Sequence, residues 1–122
     1  MNSAATLGNI VPFDKKENYN LLAEINCNLI SPIILFSKFI KKFNNVKKTI
    51  FSISSGAAAK PIHSWSTYCV SKSGLELLSQ VLKNESLNSN LRIFSIDPPP
   101  KRISTATPRP KTVMIKPVKP LK

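Results

Sequence analysis

From Leu21 to Phe43 the apolar residues Leu21, Leu22, Ile25, Leu29, Ile33, Phe36, Phe39, Ile40 and Phe43 recur every three or four positions. That period predicts one long amphipathic helix. Asp14 with Glu17 three positions later is a helix-start signature, so the helix is expected to begin there, and Pro32 should interrupt it by removing a backbone donor. The residues before it, Met1 to Asp14, mix Asn2, Gly8, Asn9 and Pro12 with small side chains and read as a loop. Thr49 to Ile53 and Leu91 to Ile96 are short, β-branched and aromatic, the composition of buried strands. Between them Thr67 to Glu85 returns to the helical period, with Val70, Leu75, Leu78, Val81 and Leu82 expected on one side. Gly74 should let a neighbour approach that helix closely. Strand, helix and strand in so short a span argue for a right-handed βαβ unit and a parallel sheet.

Composition changes this picture mainly at the C-terminus. The chain has 122 residues, 42% of them hydrophobic, enough for one domain with a modest core. From Asp97 onward Pro98, Pro99, Pro100, Pro108, Pro110, Pro117 and Pro120 alternate with Lys and Arg. Such a segment has too few apolar side chains to offset its ordering entropy, and we expect a disordered or polyproline-like tail over residues 98–122 behind a folded unit over 1–97. The 18 basic and 6 acidic side chains give a formal net charge of +12, which attracts polyanions non-specifically. No aromatic residue is interleaved with the charges of the tail, so a solvated basic segment is favoured over dedicated nucleic-acid recognition. Pro108-Arg-Pro-Lys and Lys116 to Pro120 are the weak candidates for an acidic groove or a proline-reading partner. Lys38, Lys41, Lys42, Lys47 and Lys48 crowd the end of the long helix, where cations complement its dipole.

Cys27 and Cys69 lie in apolar, helix-like segments with no His or Cys at metal-ligand spacing, which reads as two reduced thiols in a cytosolic protein. No run of about 18 uninterrupted apolar residues is present, and the N-terminus lacks the basic start and apolar centre of a signal peptide. The expectation is a cytoplasmic chain without a membrane span.

The one stretch with the makings of chemistry is Ser52 to Lys72, Ser-Ile-Ser-Ser-Gly-Ala-Ala-Ala-Lys-Pro-Ile-His-Ser-Trp-Ser-Thr-Tyr-Cys-Val-Ser-Lys. Its serines follow the first strand, at the end where open α/β sheets place their ligands. Tyr68 and Lys72 are four positions apart, so on a helix the phenol and the ammonium share a face. A Tyr-x-x-x-Lys spacing is common by chance, and an exposed lysine at that offset often only adds solubility. Ser55 lies 13 positions before Tyr68 at a strand end, where a lone serine is usually a turn residue.

Ser52-Ile-Ser-Ser-Gly, Trp65 and Tyr68-Cys-Val-Ser-Lys72, followed by a helix and the strand Leu91 to Ile96, together resemble the short-chain dehydrogenase/reductases, with a flavour of the sepiapterin reductase and benzil reductase branch. Asn28 falls where that family has its helix asparagine, and Asn2-Ser-Ala-Ala-Thr-Leu-Gly8 looks like a variant of its Asn-Asn-Ala-Gly stretch. The resemblance covers about residues 2 to 98. It implies a partial Rossmann-like α/β fold, a fragment of a doubly wound parallel sheet, and hydride transfer between NADP (or NAD) and a small-molecule carbonyl substrate. Tyr68 would then be the general acid, Lys72 would support the phenolate and hold the nicotinamide ribose, Ser55 would bond the substrate oxygen, and Asn28 would hold a water in the proton relay. Cofactor contacts would fall on Asn2, Ala4, Tyr68, Lys72 and Pro98. His63 is expected in a loop near the substrate mouth, and Trp65 to pack rather than bind.

The same resemblance marks what differs. The first strand and glycine-rich turn of the family, which cradle the pyrophosphate, would lie upstream of residue 1, and the expected Pro-Gly after the last strand is Pro98-Pro99. The expectation is a truncated piece that begins at an internal Met and ends in a shifted or foreign reading frame, impaired on its own. The family builds a dimer interface from its two long helices, so self-association is expected. The competing function class is a non-catalytic basic module whose tail binds polyanions or an acidic partner.

Overall fold

The computed structural model describes residues 5–98. Asn2, Ala4 and almost all of the proline-rich tail lie outside the described residues. After an irregular segment and a single 3-10 turn, Phe13–Lys15, helix α1 spans Asn18–Ile25. A π-helical turn, Asn26–Ile30, leads directly into α2, Ser31–Lys42. Strand β1 is Lys48–Ile53, a 3-10 turn follows at Gly56–Ala58, α3 is Ser66–Glu85 and β2 is Leu91–Ile96.

The two strands pair in parallel, with Lys48 opposite Leu91 and Ile53 opposite Ile96, as the strand–helix–strand reading requires. Alternation along the strands turns Ile50 and Ser52 of β1, and Leu91 and Ile93 of β2, toward the helices. Phe36, Ile50, Leu75, Leu91 and Ile93 form the buried core, flanked by Leu29, Phe39, Ile40, Leu78 and Leu82. Burying each such side chain contributes about 1.5–3 kcal/mol. The opposite sheet face is apolar but open. Phe51 and Phe94 stack there with ring centroids 5.4 Å apart, and both remain substantially exposed.

Three boundaries differ from the sequence reading, each for a local reason. The long helix begins at Asn18 with Glu17 as its N-cap, because Asp14 is taken up in the 3-10 turn and makes no cap bond. Pro32 does not break the helix. The helical stretch runs on through it from Asn18 to Lys42, with a π turn, Asn26–Ile30, immediately before it. On α3, Leu75 is buried, whereas Val70 is 61% exposed and Val81 43%. The inner stripe of α3 is instead Thr67, Ser71, Leu75 and Ser79, four-residue spacing with small side chains that let the helix lie close to its neighbours. Gly74 serves the same end: a Cβ there would stand 3.1 Å from Leu29 Cδ1.

The continuous helical stretch Asn18–Lys42 is long and apolar enough, by length and composition, to cross a membrane, and only 22% of its most apolar window is buried. The apolar surface left outside includes Ile30, Ile33, Ile34 and Leu35.

Candidate active site

Strand β1 ends at Ile53, and the turn beyond it presents Ser55 in extended backbone as the N-cap of the 3-10 turn. Its Oγ accepts a hydrogen bond from Ala57 N–H at 3.2 Å. The chain re-enters helix through Ser64, whose φ of 68° is the left-handed region that a non-glycine side chain seldom adopts. Two bonds tie the loop to α3: Ser73 Oγ donates to Ala58 O at 2.7 Å, and Cys69 Sγ to Lys60 O at 3.5 Å.

Tyr68 lies in the first turn of α3. The edge of its ring meets Trp65 at 5.7 Å and 87°, so Trp65 packs against the phenol, as expected of it. One turn on, Lys72 is 5% exposed. Its ammonium sits 5.8 Å from the centroid of the Tyr68 ring, within cation–π range. It donates to Ile53 O at 3.1 Å, which anchors the side chain to the end of β1. Burial lowers the pKa of this ammonium below its ordinary 10.5, and the charge interaction with Cys27, the smaller cause, acts in the other direction.

Asn28 sits in the π turn, 1% exposed. Its Oδ1 accepts from Thr6 N–H and its Nδ2 donates to Thr6 O, both at 2.7 Å. The amide therefore acts as a clamp that pins the incoming loop beside α1. The main-chain carbonyl of Asn28 is a different matter. Residue 32 is proline and has no N–H to return to it, so the sequence itself deprives that carbonyl of its ordinary helical donor.

Sequence reasoning overlooked a second polar cluster beside this clamp. Lys16 Nζ and Glu24 Oε1 form a fully buried ion pair at 2.8 Å, and Thr67 Oγ1 donates to the other carboxylate oxygen. Gly8, at φ 60°, passes so close that a Cβ there would collide with the Glu24 carboxylate. The available signal was the four-residue stripe Asn20, Glu24, Asn28 along α1 and the π turn, polar where a core-facing stripe should be apolar. It knits the loop, α1 and the start of α3 together just before Tyr68.

Ser55 lines a cleft of about 530 Å³ together with Ser54, Ser73, Glu76, Gln80 and Asp97, among others. Tyr68 and Lys72 are not among its lining residues. Pro98, expected at the cofactor, is exposed just past β2, and His63 is exposed in the loop with Nδ1 2.9 Å from Ser64 Oγ.

The profile of the short chain dehydrogenase family matches residues 1–112. The chain belongs to the short-chain dehydrogenase family. The match runs past residue 98, further than the residues of the resemblance by themselves extend. Among relatives of the family, benzil reductase ((S)-benzoin forming) of Bacillus cereus is 34% identical over 89 residues, covering 71% of this chain and 36% of that protein. Sepiapterin reductase of Xenopus tropicalis is 25% identical over 105 residues, covering 82% and 40%. The solved structure of 4-hydroxyisoleucine dehydrogenase complexed with NADH and succinate superposes with a TM-score of 0.74 at 26% identity, covering 79% of this chain and 45% of that one. This short-chain dehydrogenase chain thus spans about two fifths or less of the curated relatives it matches. A partial Rossmann-type sheet is what such coverage would leave.

Proposed function

We propose that this chain carries the proton-transfer half of an NADP- or NAD-dependent carbonyl reductase. The observation that supports the reading most directly is Lys72, buried, anchored to Ile53 O and poised over the Tyr68 ring. A cation held there complements the negative charge that develops on the phenol oxygen as Tyr68 gives its proton to a carbonyl oxygen in reduction. Ser55 would hydrogen-bond the same oxygen as negative charge develops. Asn28 would hold a water of the proton relay, while its amide keeps Thr6 in place.

The donor chemistry of Lys72 fits the cofactor. The ammonium has three N–H donors and one of them is used by Ile53 O, which leaves two for the hydroxyls of a nicotinamide ribose. NADP or NAD would supply the hydride when bound. Among the described residues no strand leads into a glycine-rich turn that could receive the pyrophosphate. The reading therefore includes impaired turnover by the isolated chain and recovery on complementation by the remaining sheet. It also includes self-association through the outer faces of α2 and α3, and a cytoplasmic setting, which suits two unbridged thiols, Cys27 and Cys69.

The test is Tyr68→Phe, made in this chain and assayed with and without a complementing fragment. Cofactor affinity, read from nicotinamide fluorescence, should change less than about twofold, while reduction of an aromatic ketone falls by about 10²–10⁴-fold. Cofactor binding lost with the phenol, or turnover retained without it, would reject the assignment. The alternative, a basic module acting through its tail, predicts salt-sensitive polyanion binding and no nicotinamide binding.

A further inference from the structure

The candidate active site occupies the end of the sheet where the strands finish. At the opposite end, where α2 and α3 terminate and β1 and β2 begin, lies a cleft of about 410 Å³ lined by Lys47, Lys48, Thr49, Ser89, Asn90 and Arg92. Three of the six carry positive charge, none is acidic, and the other three offer hydroxyl or amide groups. The parallel register builds its walls: Lys48 N–H donates to Asn90 O at 2.8 Å, and Thr49 stands directly opposite Arg92.

The cations of this pole are not equivalent. Lys41 and Lys42 lie in the last turn of α2, where the helix dipole accounts for them. Lys48 caps the same helix, its Nζ donating to Phe43 O at 2.8 Å. Lys47 and Arg92 have neither explanation. Both are exposed, and neither forms an ion pair among the described residues. Two unpaired cations facing one cleft repel each other unless an anion lies between them, and a planar guanidinium beside an ammonium suits a phosphate oxygen cluster.

We infer that this cleft is a binding site for a small polyphosphate or phosphate ester, held between Lys47 and Arg92 with Thr49 and Asn90 as neutral donors. It is separate from the reductase site and independent of that reading.

The probe is inorganic tripolyphosphate, titrated calorimetrically into the full chain at low and moderate salt. The double variant Lys47→Gln/Arg92→Gln should bind it at least about tenfold more weakly. Lys116→Gln/Lys119→Gln, which removes the same charge from the tail, should change affinity by less than about twofold. Matching thermal transitions by circular dichroism would establish that both variants keep the fold. Equal losses in the two variants, or no saturable binding at millimolar concentration, would overturn the proposal. So would dependence on Lys47 and Arg92 for a 20-nucleotide single strand but not for tripolyphosphate.

Discussion

The two sides of α3 invert the usual expectation. Its inner side buries Thr67, Ser71 and Ser79 beside Leu75, while Val70, Leu77 and Val81 stand on the outer side, each more than 40% exposed. The hydroxyls tolerate burial because each finds an acceptor: Thr67 on Glu24, Ser71 on Tyr68 O at 2.9 Å and Ser79 on Leu75 O at 2.9 Å. Small side chains also let α3 press against the sheet and α1. That proximity brings Lys72 within reach of Ile53 O. The apolar outer side has the opposite character, a surface suited to contact with something else. Hydrophobicity thus marks where a second interface would form, and smallness marks where the first already has.

The largest expected effect tests the polar inner side at its deepest point. Glu24→Ala leaves Lys16 buried without a counter-charge and Thr67 without its acceptor, and should cost about 3–5 kcal/mol in urea denaturation. A loss below about 1 kcal/mol would mean that the ion pair contributes nothing to joining the loop to the helices.

The next contrast sets the two sides directly against each other. Ser71 has no exposed surface, so Ser71→Leu should overpack the α3 contact and cost about 1–3 kcal/mol. Val70→Glu, one residue earlier but outside, should leave the stability of the unassociated chain within about 0.5 kcal/mol. It should nevertheless reduce the mass seen by light scattering, if the outer side mediates self-association. Equal stability costs would erase the distinction between the two sides.

The smallest effect concerns Lys72. Its native pKa is held below 10.5 by burial, so between that lowered value and 10.5 the unfolded chain binds more protons than the native one. Stability from this group therefore rises with pH across that window; below it the cost of burying the ammonium is fully present. Lys72→Met should remove this rise, visible as the difference between the two pH–stability curves. A difference that falls across the window would contradict the direction assigned to Lys72.

The placement of Tyr68 and Lys72 on one helix could be read from the chain because their spacing is helical. Tyr68 and Lys72 are one turn apart on any helix, and Ser55 follows a strand whose composition announces it. The role of Asn28 was less visible. Its amide is spent on Thr6, a partner 22 positions away, and no local pattern connects the two. Lys16, Glu24 and Thr67 escaped notice for the same reason, since a charged residue on α1 is ordinarily solvated and only the returning loop and α3 enclose it. The long helix was placed correctly but begun too early, because Asp14 and Glu17 form a start signature that the 3-10 turn pre-empted.

By itself the sequence determined the element types, the parallel strand–helix–strand order and the placement of Ser55 just past a strand with Tyr68 and Lys72 one helical turn apart, all of which follow from periodicity and short-range spacing. Only the tertiary structure decided which side of α3 is inside, that Asn28 clamps a loop, and that Lys47 and Arg92 line one cleft at the start of the sheet. Those depend on contacts between residues far apart in the chain, where close packing and the satisfaction of buried polar groups outweigh local preference.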